Sequence, residues 1–356
     1  MDVFNIYLPV AGIEFNVLLL ITIGFCVGVI GGFFGIGGGW LVVPALNIFG
    51  FHMAYAIGTS LARLFGQSLG AIKKHQKMGN VDWKLGCFSS IPSIIGFEVG
   101  SNVVIDLEKI GTAGTIIRWC YVVFLAGLGS FMLYDYFVLS AKLLKNKEEK
   151  ISTAVESTKS VAAPTGIAEK LRNINIPPMI SFPKSKIETV SIWIVIIIFL
   201  FTGFLSGILG IGGGFIILPA LVYLVGLPTI IAVGTCLFTV LVTSAVGCFT
   251  YAVEGGVEII AAILMLVGAS IGAQIGATAI KFIKGYSIRL LFAIMVIFIC
   301  FSVVIEQFYR LVLKLFLKDM SGIILLGTAL TMTIVIIAKL IIEFRKEKSD
   351  KISVVQ

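Results

Sequence analysis

The chain has 356 residues, of which 58% are hydrophobic and 13% charged, with a formal net charge of +8. Charges this sparse, gathered in short clusters between long apolar runs, exclude an ordinary soluble domain and define a polytopic membrane protein. The Lys and Arg excess flanks apolar spans, where it orients a chain in a bilayer, so it is no sign of nucleic-acid binding.

In chain order, residues 1–15 contain Asp2 and Glu14 but no Lys or Arg. They lack the positive start of a cleaved signal peptide, so the first span is expected to remain in the mature protein. Apolar runs predict spanning helices over 16–34, 54–72, 85–104, 113–141, 190–209, 229–252, 257–279, 287–305 and 322–342. Each can cross the roughly 30 Å hydrocarbon core. Segments 40–49 and 215–225 are too short for that and read as half-helices or re-entrant pieces. Residues 142–189 form the one sizeable soluble stretch. Within it 145–165 is rich in Lys, Glu, Ser, Thr and Ala and reads as flexible linker. Residues 174–187, with Pro177, Pro178 and Pro183, predict an extended strap at the membrane surface. The expected division is a first transmembrane repeat at 1–141, a cytoplasmic loop at 142–189, a second repeat at 190–310, and a last helix and tail at 311–356.

The word repeat rests on a duplication. Gly35-Ile36-Gly37-Gly38-Gly39 before an apolar segment containing Pro44 returns as Gly210-Ile211-Gly212-Gly213-Gly214 before one containing Pro219. After these prolines the second copy gains one residue, and the match resumes through Gly58/Gly234, Thr59/Thr235, Ser68/Ser244, Gly79/Gly255, Val81/Val257, Gly96/Gly272 and Gly100/Gly276. Equivalent loops carry opposite charge. Lys73, Lys74, Lys77 and Lys84 in one half face Glu254 and Glu258 in the other, whereas the mixed Asp106, Glu108, Lys109 and Arg118 correspond to Lys281, Lys284 and Arg289. Basic loops stay cytoplasmic, so the halves are expected to be inverted. The fold class is therefore all-α: a polytopic membrane protein of two inverted repeats with glycine-broken half-helices, plus an extra C-terminal helix. The N-terminus is expected outside, the C-terminus in the cytoplasm, and the protein in the cell (inner) membrane.

Paired hydrophobic segments interrupted by glycine point to a transporter's binding site. Gly37, Gly38 and Gly39, with Gly212, Gly213 and Gly214, can end one helix and begin another at membrane depth, aiming a positive helix end and free N–H groups inward. Such an end favours an anion. Gly96/Gly100 and Gly272/Gly276 instead fit close helix packing. Each short segment precedes a helix with a polar stripe: Thr59, Ser60, Arg63 and Gln67 in one copy, Thr235, Cys236, Thr239 and Thr243 in the other. Serines and threonines in such helices often bond only their own backbone. Arg63 differs, because a mid-span guanidinium costs at least about 2.5 kcal/mol to insert and needs a partner or a wet cavity. Glu98, whose twin is Gln274, is either that partner or a proton-coupling group. Arg118 and Asp135 lie nearer span ends, where snorkelling suffices. The six cysteines, with no Cys-x-x-Cys pair, read as small buried hydrophobes, and His52 and His75 as structural.

The doubled Gly-x-Gly-Gly-Gly before a short Pro-containing helix, Gly58-Thr59, and Gly79-Asn80-Val81-Asp82 with its echo Gly255-Gly256-Val257-Glu258 resemble the sulfite exporter family TauE/SafE. The resemblance runs from about residue 7 to about residue 308, and the strap around Pro177, Pro178 and Pro183 resembles members with a long central loop. It implies export of sulfite or a small organosulfonate through a midplane site between the repeats. The alternatives are cation-coupled uptake of a sulfur oxyanion such as thiosulfate, and a non-transporting membrane scaffold. No span supplies a nucleophile with a base or a metal cluster, so no enzyme activity, metal or cofactor is expected. The partners expected are the anion and the lipid bilayer, and a homodimer is compatible with the sequence.

Overall fold

A computed structural model describes residues 4–149, 176–185, 187–282, 287–312 and 315–353. Residues 4–16 fold into an antiparallel hairpin, β1 (Asn5–Leu8) with β2 (Ile13–Asn16), in the register Asn5↔Asn16 to Leu8↔Ile13. Asn16 then caps α1 (Val17–Phe34), its side chain accepting from the Leu18 and Leu19 N–H groups. That cap satisfies N–H groups the first helical turn leaves orphaned. Beyond the glycine run come α2 (Gly39–Ile48), α3 (Met53–Lys77), α4 (Trp83–Lys109) and α5 (Ala113–Glu149).

The same series then repeats. The described part of the expected strap and the residues after it contain a second hairpin, β3 (Met179–Phe182) with β4 (Ile187–Ser191), which leads directly into α6 (Ile192–Leu209). Next come α7 (Gly214–Pro219), a π-helical turn (Ala220–Val225), α8 (Thr229–Val253), α9 (Ile259–Phe282) and α10 (Ser287–Val312). The π turn sits where the second copy gains its extra residue, and a wider turn is how a helix absorbs an insertion without losing its direction. Helix α11 (Leu315–Ser353) has no counterpart and packs on α10, α9 and α1. Most of the expected linker, from residue 150 on, lies outside the described residues, as does the centre of the basic loop near Lys284.

Among the described residues, eight helices are long and apolar enough to cross a membrane: α1, α4 to residue 109, α5 to residue 134, α6, α8, α9, α10 and α11 to residue 345. Helix α3 is as long, but its polar stripe and terminal lysines make it less apolar than these. The short helices do not cross. Phe15, in β2 just before α1, makes edge-to-face contacts with Phe49 and Phe51 beyond the end of α2, so the chain goes in along α1, reverses at the glycines and returns along α2.

Packing follows the repeat. Helix α1 lies against α9 and α6 against α4, which are equivalent pairs, while α3 packs against its own counterpart α8. Glycine makes the first two contacts possible. A Cβ on Gly28 or Gly32 would overlap the backbone of Ala269 or Ala273, and one on Gly203 or Gly207 the backbone of Ser93 or Phe97. Gly96, Gly100, Gly272 and Gly276 face the same seams from the other side, so their packing role holds. The large apolar side chains left exposed, such as Ile197, Phe249, Ile263 and Ile334, lie on the outer surfaces of these helices. In a bilayer that is the lipid-facing side, so exposure there carries no penalty.

Candidate functional site

The two glycine runs meet at the centre of the molecule. Gly38 and Gly213, the residues that begin the returning helices, have φ of 81° and 82°, a left-handed backbone that favours glycine. The next aromatic pair, Trp40 and Phe215, stacks ring on ring, with centroids 4.7 Å apart and planes 15° from parallel. They are equivalent residues, so the stack lies where the repeats' symmetry axis passes. Each run also presses on the other: a Cβ on Gly39 would lie 3.0 Å from the Ile211 Cα, and one on Gly214 2.7 Å from the Ile36 carbonyl oxygen.

Helix α3 closes over the first run. Arg63 is completely buried, donating from Nη1 to Gln67 Oε1 at 2.8 Å and from Nη2 to the Gly37 carbonyl at 3.1 Å. Its Nε is buried without a hydrogen-bond partner, and so is the hydroxyl of Ser60, one turn earlier on the same face. The ion pair with Glu98, one of the two readings of that residue, does not form: Glu98 is half-buried on α4 and accepts from Thr250 Oγ1 at 2.7 Å. Among the described residues no carboxylate reaches Arg63. Its partners are a neutral amide and a carbonyl, and these spread its charge without cancelling it.

The second run is closed by α8 with neutral groups. Thr243 donates to the Gly212 carbonyl at 2.9 Å, and the Cys236 thiol to the Gly214 carbonyl at 3.5 Å. Ser206 lies at this break too, its hydroxyl 3.5 Å from where a Gly213 Cβ would stand, buried and unpartnered. Sequence reasoning missed Ser206 because the equivalent residue in the first copy is Gly31. The rest of the stripe is engaged elsewhere. Thr239 bonds Ser89 at 3.0 Å, Thr59 accepts from the Glu258 N–H at 3.0 Å, and Thr235 accepts from the Asp82 N–H at 3.1 Å.

Arg118 does not snorkel. It is 6% exposed, donating from Nε to Gln307 at 2.7 Å and from Nη1 to Asn47 at 3.0 Å, so it ties α5 to α10 and to the end of α2. Glu306 beside it is bonded to Arg310 at 2.9 Å and Ser321 at 3.1 Å. Tyr121, on the same face of α5, donates to the Leu209 carbonyl just before the second glycine run. His52 approaches Glu108 at 3.6 Å on the surface, which fits a structural role.

A helical membrane protein with two inverted repeats, glycine-broken returning helices and a buried cation where they meet is a transporter by architecture. The comparisons agree. The family model described as sulfite exporter TauE/SafE matches residues 20–303, and the chain belongs to that family. It is 26% identical over 300 residues to the probable membrane transporter protein YunE of Bacillus subtilis, covering 82% of this chain and 98% of that one. It is 27% identical over 266 residues to YdhB of the same organism, also a probable membrane transporter protein, covering 73% and 89%. A probable membrane transporter protein of Methanocaldococcus jannaschii is 29% identical over 219 residues, covering 59% and 64%. No solved structure matches the chain.

Proposed function

We propose that this transporter exports sulfite or a small organosulfonate, binding the anion between Arg63, Ser60 and the first glycine-opened helix start. The observation that carries the reading is the state of Arg63. A guanidinium buried without a counter-charge is costly to keep, by about 2.5–3.5 kcal/mol on the insertion scale, and structural charges are normally paired. An anion supplies the missing charge. Arg63 Nε and the Ser60 hydroxyl are two unpartnered donors on one helix face, suited to two oxygens of a sulfur oxyanion. Gly212, Gly213, Gly214 and Ser206 would complete the cradle from the second repeat, with Cys236, bonded to the Gly214 carbonyl, as its neutral wall.

Sulfite as the substrate follows the family's description; the residues themselves select a small oxyanion. Export needs no coupling ion, since an anion leaving a cell with a negative interior gains about 2.3 kcal/mol per charge per 100 mV. Glu98 is proposed to set any pH dependence, through its bond to Thr250 of the opposite repeat. The loop charges support an external N-terminus and a cytoplasmic C-terminus. The test is flux from proteoliposomes loaded in turn with sulfite, sulfate, thiosulfate and sulfoacetate. Sulfite or sulfoacetate should leave faster than from protein-free vesicles, and equal rates for all four would remove the reading.

A further inference from the structure

Ser60 and Arg63 are fully buried, so an anion reaches them only if the protein opens, and for transport it must open on each side in turn. Two structures of the same design close the two ends of the molecule. At one end Asp82 is 3% exposed at the start of α4. Its Oδ1 caps the Leu85 N–H, its Oδ2 accepts from Ser185 Oγ of the second hairpin at 2.5 Å, and its own N–H donates to Thr235 of α8. At the other end Glu258 is 1% exposed before α9. Its Oε2 accepts from the Val10 N–H at 2.8 Å and the Ala11 N–H at 3.3 Å, in the tip of the first hairpin, and its N–H donates to Thr59 of α3.

These are equivalent residues throughout: Asp82 with Glu258, Thr235 with Thr59, and hairpin with hairpin. The backbone seals alike, since a Cβ on Gly58 would overlap the Gly256 carbonyl and one on Gly234 the Asn80 carbonyl. The two closures are far apart. Helix α3 touches Glu258 through Thr59 and ends at Lys77, shortly before Asp82, and that stretch of helix spans about 27 Å at 1.5 Å per residue. Thr59 also adjoins Ser60, so one closure sits directly on the helix that carries the proposed anion contacts.

We infer that the two β-hairpins are the transporter's two gates and that Asp82 and Glu258 are the buried carboxylates on which they fasten. The inference rests on the transport reading for its purpose, but not for its test. Opening one gate frees a hairpin from its carboxylate while the other stays bonded, and the matched geometry makes the two operations alike. The helix seams beneath, closed by glycine against backbone, stay in place.

The experiment uses the full chain without its six native cysteines, with a single reporter, Ser60→Cys, in proteoliposomes treated from one side at a time with a small impermeant thiol reagent. Reporters at Lys77→Cys and Glu254→Cys, labelled in parallel, identify the sides. Asp82→Ala should raise Ser60→Cys labelling at least ten-fold from the side on which Lys77→Cys reacts. Glu258→Ala should do so from the other side. Should either variant fail to fold, Ser185→Ala and Glu258→Gln weaken the same closures with less disruption. Exposure from one and the same side in both variants, or unchanged labelling in all of them, would overturn the gate assignment. Sided exposure in a protein that moves none of the sulfur anions would leave the gates standing and remove the substrate reading.

Discussion

Arg63→Gln separates a binding arginine from a scaffolding one, because the two readings differ in which quantity falls. The substitution removes a buried charge whose insertion costs about 2.5–3.5 kcal/mol. It also removes the bonds to Gln67 and the Gly37 carbonyl, each worth about 1.5–3 kcal/mol when one partner is charged, and the shorter amide can re-form one of them. The two effects offset each other to within about 1 kcal/mol. The melting temperature of the purified, ligand-free protein should therefore move by only a few degrees. Binding should behave differently. Truncating one partner of a desolvated charge pair costs about 2–5 kcal/mol, which is a loss of roughly 30-fold to several thousand-fold in affinity. Calorimetric titration of sulfite into wild type and variant, beside melting curves of both, measures the two numbers. A sulfite affinity within threefold of wild type would refute the reasoning, as would a collapse in melting temperature with binding intact in the protein that remains folded.

Gly38→Val and Gly213→Val should abolish flux, since each places a Cβ at φ near +80°, costing roughly 1–2 kcal/mol, and drives it into Val27 or Ile217; Gly70→Ala, with nothing within 4 Å of the added carbon, is the control that should transport normally. Gly276→Ala should lower the melting temperature without a change in sulfite affinity, because its Cβ would meet the Val29 and Phe33 backbone in the seam between α1 and α9. Cysteines placed at Lys77 and Glu254 should react with an impermeant reagent from opposite sides of intact cells, and labelling from one side would remove the inverted topology. Glu98→Gln should leave the protein inserted and flatten the pH profile of flux, and an unchanged profile would leave Glu98 only its bond to Thr250.

The glycine duplication was legible because left-handed turns at membrane depth accept little besides glycine, and the one-residue gain after Pro219 already marked where the π turn now lies. The polar stripe was legible as a stripe, but its division of labour was not. Thr59 and Thr235 differ little from Ser60 and Cys236 in sequence, and only the packing of α3 on α8, with α4 and α9 alongside, sends the threonines to the closures. Both hairpins escaped notice for a related reason. Strands of four or five residues have too few positions for an alternation to register, and their register is fixed by burial against distant helices. Ile13-Glu14-Phe15-Asn16 became a strand through pairing with β1, and the prolines near residue 177 suggested extension without pairing. Arg118 sits little more than a turn into α5, where a chain position alone implies snorkelling. Its partners Asn47 and Gln307 come from helices remote in sequence, so its burial required the fold.

An anion held by Arg63 and Ser60 where the two glycine runs meet would be seen in an experimental structure of the protein grown with selenite in place of sulfite, with the anion located by its anomalous signal. Binding at this site requires a selenium peak within hydrogen-bond reach of Arg63 Nε and Ser60 Oγ, absent from crystals of Arg63→Gln. A peak confined to another part of the molecule, such as the Arg118 cluster, or one that persists unchanged at this position in Arg63→Gln, would contradict it.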